Sequence, residues 1–163
     1  MVSLNLRKAF DRIEYLVVFE SLRDQNVGDN YIKFLAVMYS NQTGCIRGSD
    51  CFFDIERGVK QGDIISPMLF NAALELVMKR WKLRIQGSGI DINADENLTN
   101  IRYADDLILY ATSLEHLVFM LETLFEELAK VGLNVNGLKS KIMTSTPSVN
   151  KRMIDVNGDF IEM

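Results

Sequence analysis

Two adjacent carboxylates, Asp105 and Asp106, sit in Arg102-Tyr103-Ala104-Asp105-Asp106 with apolar, β-capable residues on both sides. Like charges this close are costly unless a cation neutralises them, and paired carboxylates commonly hold Mg²⁺ where substrate phosphates also bind. In phosphoryl or nucleotidyl transfer, such ions activate an attacking hydroxyl and stabilise a leaving pyrophosphate. Taken alone, an Asp-Asp pair is more often a solvated turn. Adjacent side chains on a strand point to opposite faces, so both carboxylates serve one site only where the backbone turns at the pair.

A second suggestive stretch is Gly58-Val59-Lys60-Gln61-Gly62, a glycine-flanked loop ahead of Ser66-Pro67. Glycine lets backbone approach a ligand closely, Gln61 offers an amide, and the following helix opens with free N–H groups. An ordinary loop and helix cap would explain Ser66-Pro67 without the run before it. Lys139 and Lys141 form a lysine pair that by default reads as two solvated surface cations. Cys45 and Cys51 lie six residues apart across Gly48-Ser49-Asp50 with no companions for a metal set, and read as reduced structural thiols.

The elements that must position these residues follow from spacing. Apolar Ile13, Leu16, Val17, Phe19 and Leu22 predict a helix from Asp11 to about Asn26, stopped by Gly28, with a second helix from Asp29 to Ser40. Residues 43–47 and 51–57 predict an antiparallel hairpin. Ser66 as N-cap and Pro67 at the first helical position open a helix to about Arg84, ending before Gly87. Its basic end, Lys79, Arg80, Lys82 and Arg84, reads as a solvated face. After a polar stretch, Ile101 to Ala111 predicts strand, turn, strand around the carboxylates.

Thr112-Ser113-Leu114-Glu115 fits a capping box before Leu117, Leu121, Leu124, Leu128 and Val131, an apolar face stopped by Gly132. A strand-like Ile142-Met143-Thr144 and a last turn at Val156-Asn157-Gly158-Asp159 complete the pattern. Helices mixed with hairpins indicate an α+β domain, an antiparallel sheet with helices on one face.

With 163 residues, 48% hydrophobic and 25% charged, the chain suits one ordinary domain. Its 22 acidic and 18 basic residues give a net charge of -4, the reverse of a self-sufficient nucleic-acid binder. No apolar run reaches the roughly 18 residues of a membrane span, and no signal-peptide pattern opens the chain, so an intracellular, soluble protein without membrane partners is expected.

Tyr103-Ala104-Asp105-Asp106 resembles one of an ordered set of motifs in reverse transcriptases of the non-LTR retrotransposon type. Asn5-Leu6-Arg7-Lys8-Ala9-Phe10-Asp11 is similar to the family's Asp-x-x-Lys-Ala-Phe-Asp segment, and Gln61 to Pro67 to its Gln-Gly-x-x-x-Ser-Pro segment. Gly132-Leu133-Asn134-Val135-Asn136 with Lys139-Ser140-Lys141 resembles its Gly-Leu-x-x-Asn-x-x-Lys-Thr-Lys segment.

The resemblance implies a polymerase palm that extends a DNA primer on an RNA template with deoxynucleoside triphosphates. Asp105 and Asp106 would hold Mg²⁺, with Mn²⁺ as the alternative ion. Lys139 would donate a proton to pyrophosphate. Lys8, Phe10, Gln61 and Gly62 would contact the nucleotide, Phe10 against the sugar.

The chain departs from the pattern at Asn5, where the family carries its first catalytic aspartate. An amide brings no charge, so polymerase activity is expected to be absent or severely crippled. Asp11, six residues on, is expected to serve the start of its helix.

Residues 1–163 are expected to form a single partial palm without fingers or thumb, marginally stable or self-associating where apolar residues such as Phe160 and Ile161 lack partners. The competing reading is a non-catalytic nucleic-acid or protein binding remnant, or a relic under no selection.

Overall fold

The computed structural model describes residues 1–93, 96–145, 153–156 and 159–162. The chain divides into two compact units, a sheet unit of Met1–Arg7 with Val77–Met163 and a helical unit of Lys8–Leu76. Asn157 and Gly158, expected in a last turn, lie outside the described residues.

The sheet unit is built on strands β1 (Val2–Asn5), β6 (Asn100–Tyr103), β7 (Asp106–Leu109), β8 (Lys141–Ile142), β9 (Met153–Val156) and β10 (Asp159–Glu162). Their order is β6-β7-β1-β8-β10-β9, so the first strand of the chain is central. Antiparallel pairs dominate, but β10 runs parallel to β8, making the sheet mixed rather than antiparallel throughout. In β1 and β7 the alternation is clean: Val2, Leu4, Leu107 and Leu109 are buried on one face, while Ser3, Asn5, Asp106 and Ile108 alternate onto the more open one. Ile161 is fully buried in β10, so it does not lack packing.

Helix α5 (Leu114–Ala129) and the last residues of α4 (Ser66–Arg84) supply the rest of this core. Leu117, Leu121, Leu124, Leu128 and Val131 are all buried, as their spacing requires. The indole N–H of the buried Trp81 donates to the Met120 carbonyl at 2.9 Å. The cap of α5 is Ser113, whose hydroxyl accepts from the His116 amide at 3.1 Å, one residue later than a Thr112–Glu115 box would place it. Gly132 then takes φ +79. Arg84 is no solvated cation: it bonds Glu126 at 2.6 Å and Glu127 at 2.9 Å. A small hairpin, β4 (Ile90–Asp91) with β5 (Asn97–Leu98), interrupts the polar stretch after α4.

The helical unit begins with α1 (Ala9–Arg12), α2 (Tyr15–Asp24) and α3 (Asp29–Tyr39). The single helix expected from Asp11 to Asn26 is therefore broken at Ile13, which is extended at φ -59, ψ 130. The break has a tertiary cause. The Phe10 and Ile13 carbonyls accept from the amides of Val59 and Gly58 at 2.7 and 2.8 Å instead of serving a continuous helix. Strands β2 (Thr43–Cys45) and β3 (Phe52–Asp54) form the expected hairpin, shorter than its sequence pattern. Cys45 and Cys51 are free and exposed, so they are not packing elements.

Helix α4 starts at Ser66, but Ser66 does not act as its side-chain cap: its hydroxyl is buried with no hydrogen-bond partner. The Asp63 carboxylate instead accepts from the Ile65 amide at 3.3 Å, and the Ile65 carbonyl receives Leu69 N–H at 3.1 Å. Among the described residues, no helix is long and apolar enough to cross a membrane.

Candidate active site

The carboxylate pair occupies a two-residue turn. Tyr103 and Asp106 are register partners on β6 and β7, leaving Ala104 and Asp105 as the connection. Ala104 takes φ +52. A residue in that left-handed region reverses the chain tightly, so Asp105 lies in the turn and not within a regular strand. Asp105 is half-buried and Asp106 exposed.

Directly across the β1–β7 ladder, Asp106 pairs with Asn5. Opposite residues of an antiparallel pair carry their Cβ atoms roughly 4.5–5.5 Å apart on the same face. The register therefore makes Asn5 and Asp106 close neighbours on the open side, while Leu4 and Leu107 meet on the buried side. Tyr103, 86% exposed, stands on the other flank of Asp106.

The Lys139 segment is tied to the same place through the Asn5 backbone. The Asn5 carbonyl accepts from Asn136 N–H at 2.7 Å, and the Asn5 amide donates to the Ser140 hydroxyl at 3.2 Å. Ser140 in turn donates to the Asn136 carbonyl at 2.8 Å. Lys139, exposed, lies between these anchors in a 3₁₀ turn, Gly137–Lys139. Sequence reasoning passes over Ser140 and Asn136 as site residues; Ser140 carries a signal, since serine near a loop glycine is a habitual side-chain-to-backbone bonder, whereas Asn136 acts through its backbone and carries none.

The expected ion can be tested against these donors. The donors that Asp105, Asp106 and the Asn5 side chain would offer an ion are all oxygens, the chemistry that suits a hard cation such as Mg²⁺. Among the described residues no group of three or more His, Cys, Asp or Glu could hold a metal, so this set brings two negative charges.

The remaining candidates belong to the helical unit. Lys8 is exposed, in a left-handed conformation (φ 48), at the start of α1. Phe10, half-buried, stacks on Phe70 with ring centroids 4.8 Å apart and planes at 20°, so one face of the ring is committed to packing. Gln61 is exposed and donates its amide to the Asp11 carboxylate at 3.0 Å. Asp11 thus does more than begin a helix. Gly62 has φ +87 with nothing within 4 Å of where a Cβ would stand, so conformation rather than protein crowding demands glycine there. Gly58 differs: at φ +92, a Cβ would come within 2.8 Å of the Asp11 carbonyl oxygen.

The chain has recognisable relatives. The family model for "Reverse transcriptase (RNA-dependent DNA polymerase)" matches residues 1–154. A retrovirus-related Pol polyprotein from the type-2 retrotransposable element R2DM of Drosophila melanogaster is 33% identical over 143 residues, covering 85% of this chain and 13% of that protein. The corresponding polyprotein from a type-1 R2 element of Nasonia vitripennis is 28% identical, covering 94% of this chain and 15% of its own length. The chain thus spans a small part of these relatives.

In fold, telomerase from Candida albicans, solved with a fragment of telomeric RNA, superimposes with a TM-score of 0.66 at 16% identity, over 99% of this chain and 29% of that one. Telomerase from Candida tropicalis gives 0.58 at 19% identity, over 97% and 34%.

Proposed function

Because this chain belongs to the reverse transcriptase family, with relatives among non-LTR R2 retrotransposons, we propose that it is the palm of an RNA-directed DNA polymerase, crippled at one catalytic position. The observation that carries this reading is the β1–β7 register, which sets Asn5 opposite Asp106 where the family keeps paired aspartates.

Asp105 and Asp106 would hold a divalent ion, Mg²⁺ or Mn²⁺. When bound, such an ion lowers the pKa of an attacking primer hydroxyl and stabilises charge on phosphate. Asn5 contributes a neutral oxygen in place of a carboxylate, so the charge opposing a second cation is missing. Lys139, carried on the turn anchored to the Asn5 backbone, is the proton donor to the leaving pyrophosphate. In the helical unit, Phe10 bears on the nucleotide sugar, with Phe70 fixing its ring. Gln61 and Gly62 meet the nucleotide and template, and Lys8 the phosphates. The substrates are an RNA template, a DNA primer and deoxynucleoside triphosphates. Residues 1–163 act here as palm.

Primer extension tests this in a complete fingers-palm-thumb context. Asn5→Asp should raise incorporation at least about 10²-fold, the scale of one lost electrostatic stabiliser. Equal activity in the natural chain and in the Asn5→Asp variant would refute the assignment of this position.

A second reading is favoured by the same residue: a palm that has lost a catalytic carboxylate yet keeps its core serves as a nucleic-acid or protein binding module. Saturable, salt-sensitive RNA or DNA binding with no incorporation even after Asn5→Asp would select it.

A further inference from the structure

Among the described residues, Asp11 is the one carboxylate lining a cleft of about 750 Å³ in the helical unit, beside Gln61, Arg57 and Lys60. A carboxylate repels the phosphates of a nucleotide, so contact with them is not its task. It accepts instead from the Gln61 side-chain amide at 3.0 Å. Both side chains are exposed, and a bond between exposed groups competes with water. What favours it is the backbone around it. The Val59 amide donates to the Phe10 carbonyl at 2.7 Å and the Gly58 amide to the Ile13 carbonyl at 2.8 Å, one tie on either side of Asp11. Gly58 is so close to the Asp11 backbone that a Cβ would stand 3.0 Å from its Cα. Loop and helix are thus already ordered where the two side chains meet, and the bond forms without further loss of backbone freedom.

The chemistry of the two groups decides which end of the amide faces outward. An ionised carboxylate accepts hydrogen bonds and donates none, so the amide nitrogen faces Asp11. A reversed amide would set its carbonyl oxygen against a negative charge. The bond that does form is charge-assisted, about twice as strong as one between neutral groups. A free glutamine offers donor or acceptor as a ligand requires. Gln61 is committed: the outward end of its side chain is Oε1, an acceptor.

We propose that Asp11 is a positioning residue, holding the Gln61 amide with Oε1 outward so that this loop selects a nucleotide carrying a hydrogen-bond donor. The inference deepens the polymerase reading, on which it rests for its ligand. Two groups of a nucleotide can supply the donor. One is a sugar hydroxyl, present whatever the base; the other is the guanine amino group, the one donor on the minor-groove edges of the bases.

The test is steady-state incorporation in the complete fingers-palm-thumb context with Asn5→Asp. Its substrates are deoxyguanosine triphosphate, the 2′,3′-dideoxy analogue without the sugar hydroxyl, and deoxyinosine triphosphate without the amino group. Asp11→Ala should shrink the preference for the parent over one of these analogues by about 2- to 12-fold in kcat/KM, the worth of one hydrogen bond. The analogue affected identifies the donor. The change should be carried mainly by a higher KM for the parent nucleotide. Gln61→Met, of similar size and without the amide, should act alike, and in its background Asp11→Ala should have no further effect.

In the chain itself, ¹⁵N NMR of the Gln61 side-chain amide should show its resonances moving toward those of a free amide in Asp11→Ala, and moving less in Asp11→Asn, which can still accept. A urea melt of each variant separates lost positioning from lost fold. Preferences unchanged in folded Asp11→Ala, effects of Asp11→Ala and Gln61→Met that simply add, or amide resonances indifferent to Asp11→Ala would each overturn the proposal. Failure of the polymerase reading shows separately, as no incorporation with Asn5→Asp alone, and would take the nucleotide ligand with it.

Discussion

Ala104 sits at φ +52, where a Cβ crowds the following carbonyl at a cost of roughly 1–2 kcal/mol, and it does so in the turn that delivers both aspartates. Ala104→Gly should relieve that strain, offset in part by the greater freedom of glycine in the unfolded chain, for a net gain of up to about 1 kcal/mol. Urea denaturation measures it, and a loss of stability would mean that the alanine is unstrained. The carboxylates and their turn were legible in sequence because apolar runs on both sides demanded strands with a reversal between them. The anchoring of Asn5 by Asn136 and Ser140 was not, since those bonds join residues 131 and 135 positions apart, across a ladder that sequence does not number. Phe10 is half-buried, and its stack on Phe70 is ordinary aromatic packing that its sequence neighbours do not reveal.

Among elements, α5 was the most readable, because its five apolar positions all point into one core and Gly132 closes it. Its cap moved by one residue since Ser113 and Thr112 are chemically alike, and only the geometry chooses between them. The break between α1 and α2 could not be read. The apolar spacing runs straight through Ile13, and the competing donors are backbone amides of a loop more than forty residues away. That loop is held close enough to forbid a side chain at Gly58. Gly58→Ala should therefore destabilise the chain by about 1–3 kcal/mol, combining left-handed strain with the clash on Asp11. Hydrogen exchange at the Gly58 and Val59 amides localises the effect, and unperturbed protection there would contradict the clamp.

At the scale of the whole molecule, one nearly buried carboxylate is expected to contribute to the loss of stability in acid. Glu127 is 4% exposed; burial opposes its charge, yet hydrogen bonds from Lys130 at 2.6 Å and Arg84 at 2.9 Å outweigh that and hold its pKa below the ordinary glutamate value. A depressed folded pKa means stability fully present above the unfolded value, near 4.3, and lost as pH falls through the lower folded one. Melting temperature followed from pH 7 downward should fall less steeply in Glu127→Gln than in the natural chain. Parallel curves for the two would assign the acid sensitivity elsewhere. At this scale the α+β class was legible, while the parallel β8–β10 pairing was not, because it joins strands only two and four residues long.

Among the described residues, Asn5 is held through its backbone, by bonds to Asn136 and Ser140 and by its place opposite Asp106 in the β1–β7 register. Its location is thus specified without reference to its side chain. Asparagine and aspartate differ by one group of nearly equal size, so an aspartate at position 5 would arrive on a frame already cut to its shape. On the polymerase reading proposed above, the site keeps its address with one charge fewer, and a single-codon change at position 5 is the shortest route by which such a protein would gain that charge.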